Sequence, residues 1–254
     1  MERSEIRGAC IGLRQPSRFI IPDLTRVSCR KPFPDFASLH PGYERRFGTP
    51  MLKFFFAPAT CALASRIALE EAGAAYEPVR IDFKTGQQRS PDYLKVNPKG
   101  RVPALVTERG TLTETPAMLL YIAQSYPAAK LAPDDPFTLA QVQSFNSYLC
   151  STVHVAHAHR MRGHRWVDDE AAIAAMKKKV PQSVGDCFDL IERDMLQGPW
   201  VMGERYTISD PYLFTLAQWL EGDGVDRTRF PKLQEHTVRI KERPAVQRAL
   251  AGEV

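Results

Sequence analysis

Asn97-Pro98-Lys99-Gly100-Arg101-Val102-Pro103-Ala104-Leu105 is followed, nine residues after Leu105, by Glu114-Thr115-Pro116-Ala117. Between them, Val102 to Thr107 and Thr111 to Thr113 form an expected hairpin around Glu108-Arg109-Gly110. Proline fits the first turn of a helix, so Glu-Thr-Pro reads as a helix start whose orphan N–H groups attract a carboxylate. Taken singly, Val-Pro-Ala-Leu is an ordinary strand entry and Thr115 an ordinary helix cap. Their order and spacing favour two halves of one ligand site.

Working outward, Leu52 to Phe56 is a short apolar run, Ala57 to Thr60 a turn, and Cys61 to Ala74 places Leu63, Ile67, Ala68 and Ala72 at helical spacing. Tyr76 to Asp82 reads as a second strand, Pro91 to Val96 as a short helix and Ala117 to Tyr126 as an amphipathic one. The order βαβ(α)ββα is that of a thioredoxin-like domain over residues 51–127. Residues 128–136 are rich in proline and aspartate and read as a linker. Residues 137–254 read as an all-helical domain, with helices expected over Phe137 to about Arg165, Glu170 to Leu196 (kinked at Pro181), Ser209 to Leu220, Phe230 to Glu242 and Ala245 to Ala251. Thr207-Ile208-Ser209-Asp210 has the form of a capping box. The expected fold class is therefore α/β plus all-α.

The net charge of +5 would suit nucleic acid, but residues 1–50 hold nine basic and five acidic side chains, leaving +1 for the other 204 residues. A near-neutral body lacks the clustered cations a phosphate-tracking surface needs. Residues 1–50 carry six prolines and no sustained apolar period, so they read as a disordered extension or as the product of a mis-assigned start. No secretory signal or membrane-length stretch is read in the sequence. Five cysteines without paired spacing suit a reduced, cytoplasmic protein.

From Met51 to about Gly252 the chain resembles the cytosolic glutathione transferases and is most similar to the bacterial beta class. Besides the two opening segments, the likeness rests on Ala57-Pro58-Ala59-Thr60-Cys61-Ala62-Leu63, on Ser151-Thr152-Val153-His154, on Trp200 to Phe214 around the capping box, and on Glu242 to Val246. It implies a cis Val102-Pro103 bond, with the Val102 backbone pairing with the cysteinyl part of glutathione as an added strand would. It also implies that Glu114 and Thr115 hold the γ-glutamyl end, that a basic residue after the second strand, Lys84 or Arg89, meets the glycyl carboxylate, and that Cys61 and His154 are catalytic. Glutathione is then the co-substrate, with a small hydrophobic electrophile as acceptor, a detoxification role, and a homodimer whose contact lies near Phe145 to His157.

Cys61 falls at the first turn of a helix, where the macrodipole favours thiolate, so a depressed pKa is expected. With Ala64 three residues on there is no dithiol pair. The chain departs from the beta class in having Phe54, Phe55 and Phe56 where a tyrosine is usual, Ala62 where serine is common, and Thr152 and Val155 flanking His154. Those departures remove the expected hydroxyls around the sulfur. Three readings follow: conjugation of glutathione thiolate to hydrophobic electrophiles, thiol/disulfide exchange through Cys61, or a catalytically silent ligand-binding member of the fold. His154, His157, His159 and His164 invite a metal reading, but His154 and His164 would be ~15 Å apart along a helix, and no metal is expected.

Overall fold

In strand β1 (Leu52–Phe56), Phe54 and Phe56 are buried and stack at 6.1 Å, while Phe55 meets the Tyr93 ring at 5.7 Å. Successive side chains of a strand point to opposite faces, so three phenylalanines in a row serve both faces of a central strand. The computed structural model describes residues 52–253, and the expectations placed on residues 1–50 lie outside the described residues. β1 runs parallel to β2 (Tyr76–Arg80) and antiparallel to β3 (Ala104–Thr107), which pairs antiparallel with β4 (Gly110–Thr113). The sheet order is β2-β1-β3-β4.

A parallel pair needs a crossover, and α1 (Ala62–Glu71) supplies it between β1 and β2. Helix α2 (Pro91–Val96) is capped by Ser90, whose hydroxyl accepts the Tyr93 N–H at 3.2 Å. Helix α3 (Thr115–Ser125) follows β4 and completes the thioredoxin-like arrangement.

The remainder is helical. Asp135 caps α4 (Pro136–Tyr148), its carboxylate accepting the Thr138 N–H at 2.8 Å. The run continues through a π-turn, Leu149–Val153, into α5 (His154–Arg162) and a 3-10 turn ending at Arg165, so the single helix expected over Phe137 to Arg165 is one path with three windings. Helix α6 (Glu170–Leu190) passes through Pro181 and ends in a second π-turn, Ile191–Met195. Proline there frees the carbonyl four residues earlier, on the exposed Lys177. Helices α7 (Ser209–Ala217), α8 (Pro231–Lys241) and α9 (Pro244–Ala251) complete the chain. No described helix is long and apolar enough to cross a membrane.

The helical part closes back on α1. Leu63 and Ile67 of α1 pack with Phe214, Ile240, Val246 and Ala249. Arg243 makes paired bonds of 2.5 and 2.9 Å to the Glu71 carboxylate while its guanidinium lies 3.8 Å from the Tyr206 ring centre. A paired, partly buried contact of this kind is stronger than a surface ion pair, so Arg243→Ala should cost roughly 2 kcal/mol, read as a lower denaturant midpoint at unchanged slope. Phe145, Leu149 and Val153, from the stretch assigned to a subunit contact, are buried in this chain's own core.

Candidate active site

The loop from Asn97 to Pro103 is held from within. The Arg101 carbonyl accepts from the Asn97 amide at 2.6 Å and from the Tyr93 hydroxyl at 2.7 Å, and the Asn97 side-chain oxygen accepts the Lys99 N–H at 3.2 Å. Gly100 has φ +59°, and a Cβ there would lie 2.9 Å from the Gln88 carbonyl oxygen, so both the turn and the close approach require glycine. The loop delivers Val102 and Pro103, joined by a cis peptide bond, to the mouth of β3.

Across from it, Glu114 caps α3 with φ +71°, a conformation rare outside glycine and found where the surroundings hold a residue in place for a purpose. Its carboxylate pairs with Lys99 Nζ, which also donates to the Thr113 hydroxyl at 2.7 Å. Thr115, the first residue of α3, is buried and hydrogen-bonds the Cys61 thiol. Cys61 precedes α1, and its Sγ lies 3.8 Å from the Val102 carbonyl oxygen.

Cys61, Asn97, Gly100, Arg101, Val102, Pro103, Glu114 and Thr115 line one cleft of about 600 Å³ together with Cys150, His154, His157, Arg162, Arg165, Tyr212 and Trp219. Of the candidate site residues, Cys61, Val102, Pro103, Glu114, Thr115 and His154 are thus brought together. Lys84 is not among the lining residues: it sits in an exposed turn after β2, where its N–H bonds the Asp82 carboxylate at 2.8 Å. Arg89, the other basic candidate, does line the cleft.

The expected depression of the Cys61 pKa is corrected by the structure. Burial pushes this thiol up, with the Thr115 hydrogen bond and the Arg162 charge acting the other way. A helix terminus contributes only ~0.3–1 kcal/mol, and at this half-buried thiol desolvation outweighs it. Cys61 is therefore a neutral thiol near pH 7.

His154 meets Trp219 edge-on at 5.1 Å, and its pKa is lowered to about 4, first by burial and then by the positive charges of Arg162, Arg101 and Arg165. His157 stacks on the same indole at 4.2 Å and bonds the buried Asp223 carboxylate at 2.7 Å. His164 also lines the cleft, while His159 turns aside against Trp166 at 4.5 Å.

Tyr212, from the first turns of α7, was not read as a site residue from the sequence. It is buried, lines the cleft, and its pKa is raised by burial and by the nearby Cys61, Cys150 and Glu114. With Thr115 it adds a hydroxyl-bearing side chain to the lining of the cleft that holds Cys61, beyond those read from the sequence. The only sequence signal for Tyr212 was its place just after the capping box. Trp219 and Asp223 gave no signal, because it is packing that brings the turn after α7 against α5.

Residues 50–124 match the family model for the glutathione S-transferase N-terminal domain. Glutathione S-transferase GstA of Escherichia coli O157:H7 is 32% identical over 205 residues, covering 80% of this chain and 98% of that protein. A glutathione transferase homologue from Sulfitobacter, solved with bound glutathione, is 46% identical with a TM-score of 0.78, covering 80% of this chain and 99% of its own. The bacterial beta class glutathione S-transferase of Sphingomonas chungbukensis is 35% identical with a TM-score of 0.69 over 79% of this chain and 98% of its own. A βαβαββα sheet domain joined to a helical domain, with a cleft where both contribute, agrees with these likenesses throughout, and the chain belongs to the glutathione S-transferase family.

Proposed function

We propose that the protein binds glutathione in this cleft and joins its sulfur to an electrophile. The observation that carries the reading is the meeting, in one cleft, of the Cys61 thiol, the Val102-Pro103 backbone, the start of α3 and His154. The Val102 backbone pairs with the peptide as an added strand would. The N-terminus of α3 at Glu114 and Thr115 takes the γ-glutamyl carboxylate, and Arg89 takes the glycyl one. Holding the tripeptide in register leaves its sulfur at Cys61, where a neutral thiol and the Thr115 hydroxyl act as donors that favour glutathione thiolate over thiol. His154, neutral at physiological pH, is free to accept a hydrogen bond from the glutathione thiol or from a water beside it. The protein works as a homodimer in the cytoplasm.

The nucleophile in this reading belongs to glutathione. Cys61→Ala should therefore keep most conjugation of 1-chloro-2,4-dinitrobenzene, losing only a few-fold in kcat, with glutathione affinity nearly unchanged. The rival reading, in which Cys61 itself attacks a disulfide, predicts that the same change abolishes reduction of a glutathione mixed disulfide. A raised Cys61 pKa favours the first outcome. Loss of conjugation by orders of magnitude in Cys61→Ala would overturn it.

A further inference from the structure

Four arginines converge on one end of the cleft: Arg89 and Arg101 from the sheet domain, Arg162 and Arg165 from the end of α5 and the turn after it. None makes an ion pair with a carboxylate among the described residues. Glu114, the carboxylate among the lining residues, pairs with Lys99, and the Asp223 carboxylate pairs with His157 and Arg160. Mutual repulsion is visible in the groups themselves. Arg165, though exposed, is pulled below the usual guanidinium range by partial desolvation and by Arg162, Arg101 and Arg89, and Arg162, Arg101 and Arg165 in turn help hold His154 neutral.

Like charges crowded in a cleft with low-dielectric walls focus a field on whatever enters. Glutathione cannot absorb it. Of its two carboxylates, one goes to α3, and a single guanidinium fork suffices for the other. Phe83 and Trp166 line the same cleft while remaining 40% and 46% exposed, and Trp166 follows Arg165 directly in the chain, so the cleft offers open apolar surface as well as cations. We infer that the acceptor is an electrophile with a flat apolar body and at least one carboxylate or other acidic group, which Arg162 and Arg165 hold while Phe83 and Trp166 cover the body. This inference rests on the proposed function and names the substrate class of that site.

The step can be written for a matched pair of probes, 4-chloro-3-nitrobenzoate and its methyl ester. Glutathione thiolate forms a C–S bond at the chlorine-bearing carbon, and chloride leaves with the C–Cl electron pair. The thiol proton passes to solvent. No other reactant is needed.

The experiment has an equilibrium arm and a turnover arm on the full chain. Calorimetry measures binding of the two conjugates, the S-(4-carboxy-2-nitrophenyl) derivative of glutathione and its methyl ester, so the cation cluster is read even without catalysis. A hydrogen-bonded guanidinium–carboxylate contact should favour the acid conjugate by about tenfold or more, and raising salt should shrink the preference. Arg165→Gln, at an exposed site, should reduce the ratio several-fold, and Arg162→Gln/Arg165→Gln should bring it close to one. Turnover of each chlorobenzoate, divided by its uncatalysed rate with glutathione, should follow the same ratio. Equal binding of the two conjugates, or a preference that neither salt nor Arg165→Gln changes, would overturn the inference. Failure to turn over either chlorobenzoate while the conjugate preference persists would instead sink the proposed conjugation and leave the anion site standing.

Discussion

Asp210→Ala should cost the folded protein roughly 3–5 kcal/mol, because it strands several buried donors at once. The Asp210 carboxylate, fully buried at the start of α7, accepts the Val201 N–H at 2.8 Å, the Thr207 N–H at 2.7 Å and His236 Nε2 at 3.1 Å. Each of those donors sits on a different piece of chain: the turn before α7, the cap itself, and α8. Alanine leaves them facing an apolar void, with neither water nor another acceptor beside them. Asn, which keeps the shape but not the charge, should recover part of the loss. For a unit of about 200 residues, the alanine change should lower the melting temperature by roughly 10 °C. A loss below about 1 kcal/mol would mean the three donors find other partners, against the geometry described. Since α7 also carries Tyr212, binding in the cleft should weaken along with stability.

The second large effect is a pH dependence. The His154 pKa falls from 6.5, its ordinary value, to about 4 in the folded chain. Between those values the unfolded chain binds a proton at this position and the folded chain does not, so stability is full above pH 6.5 and is lost progressively as pH falls towards 4. That window is worth roughly 3 kcal/mol for one residue. Denaturant melts of wild type and His154→Gln at pH 7 and pH 4.5 isolate it, since the carboxylates contribute equally to both proteins. Wild type should lose about 2–3 kcal/mol more than the variant over that interval. An equal loss in the two proteins would show that His154 titrates normally and that the arginines do not bear on it.

The sheet was legible because its evidence is local. The apolar run Leu52 to Phe56, Gly110 at the hairpin and Pro116 at a helix start each fix a neighbour's conformation, and the element order βαβ(α)ββα follows. Candidate residues that lie on those elements, Cys61, Val102, Pro103, Glu114 and Thr115, arrive in the cleft together. Lys84 and Arg89 could not be ranked, because a loop of ten residues between β2 and α2 has no periodicity to say which side chain turns inward. What escaped is what only packing creates: Tyr212 from α7 in the same cleft as Cys61, and the Trp219 indole against two histidines. The sign of the Cys61 shift was misread for the same reason. Position at a helix start is visible in sequence, but the depth of burial that outweighs it is not.

The π-turn at Leu149–Val153 has a consequence for chain length. It winds one more residue into the path between α4 and α5 than an α-helix would, and each residue turns the path by about 100°. Upstream, that phase seats Phe145 in the core; downstream, it faces His154 and His157 to the cleft. Deleting any one residue of the five would let the helix close up with every backbone bond restored, yet would rotate one side of it by a quarter turn or more. Either the core or the two histidines would then face the wrong way. This segment thus acts as a counter: many side chains would serve at its exposed positions, but only this number of them keeps the packing face and the chemical face in step.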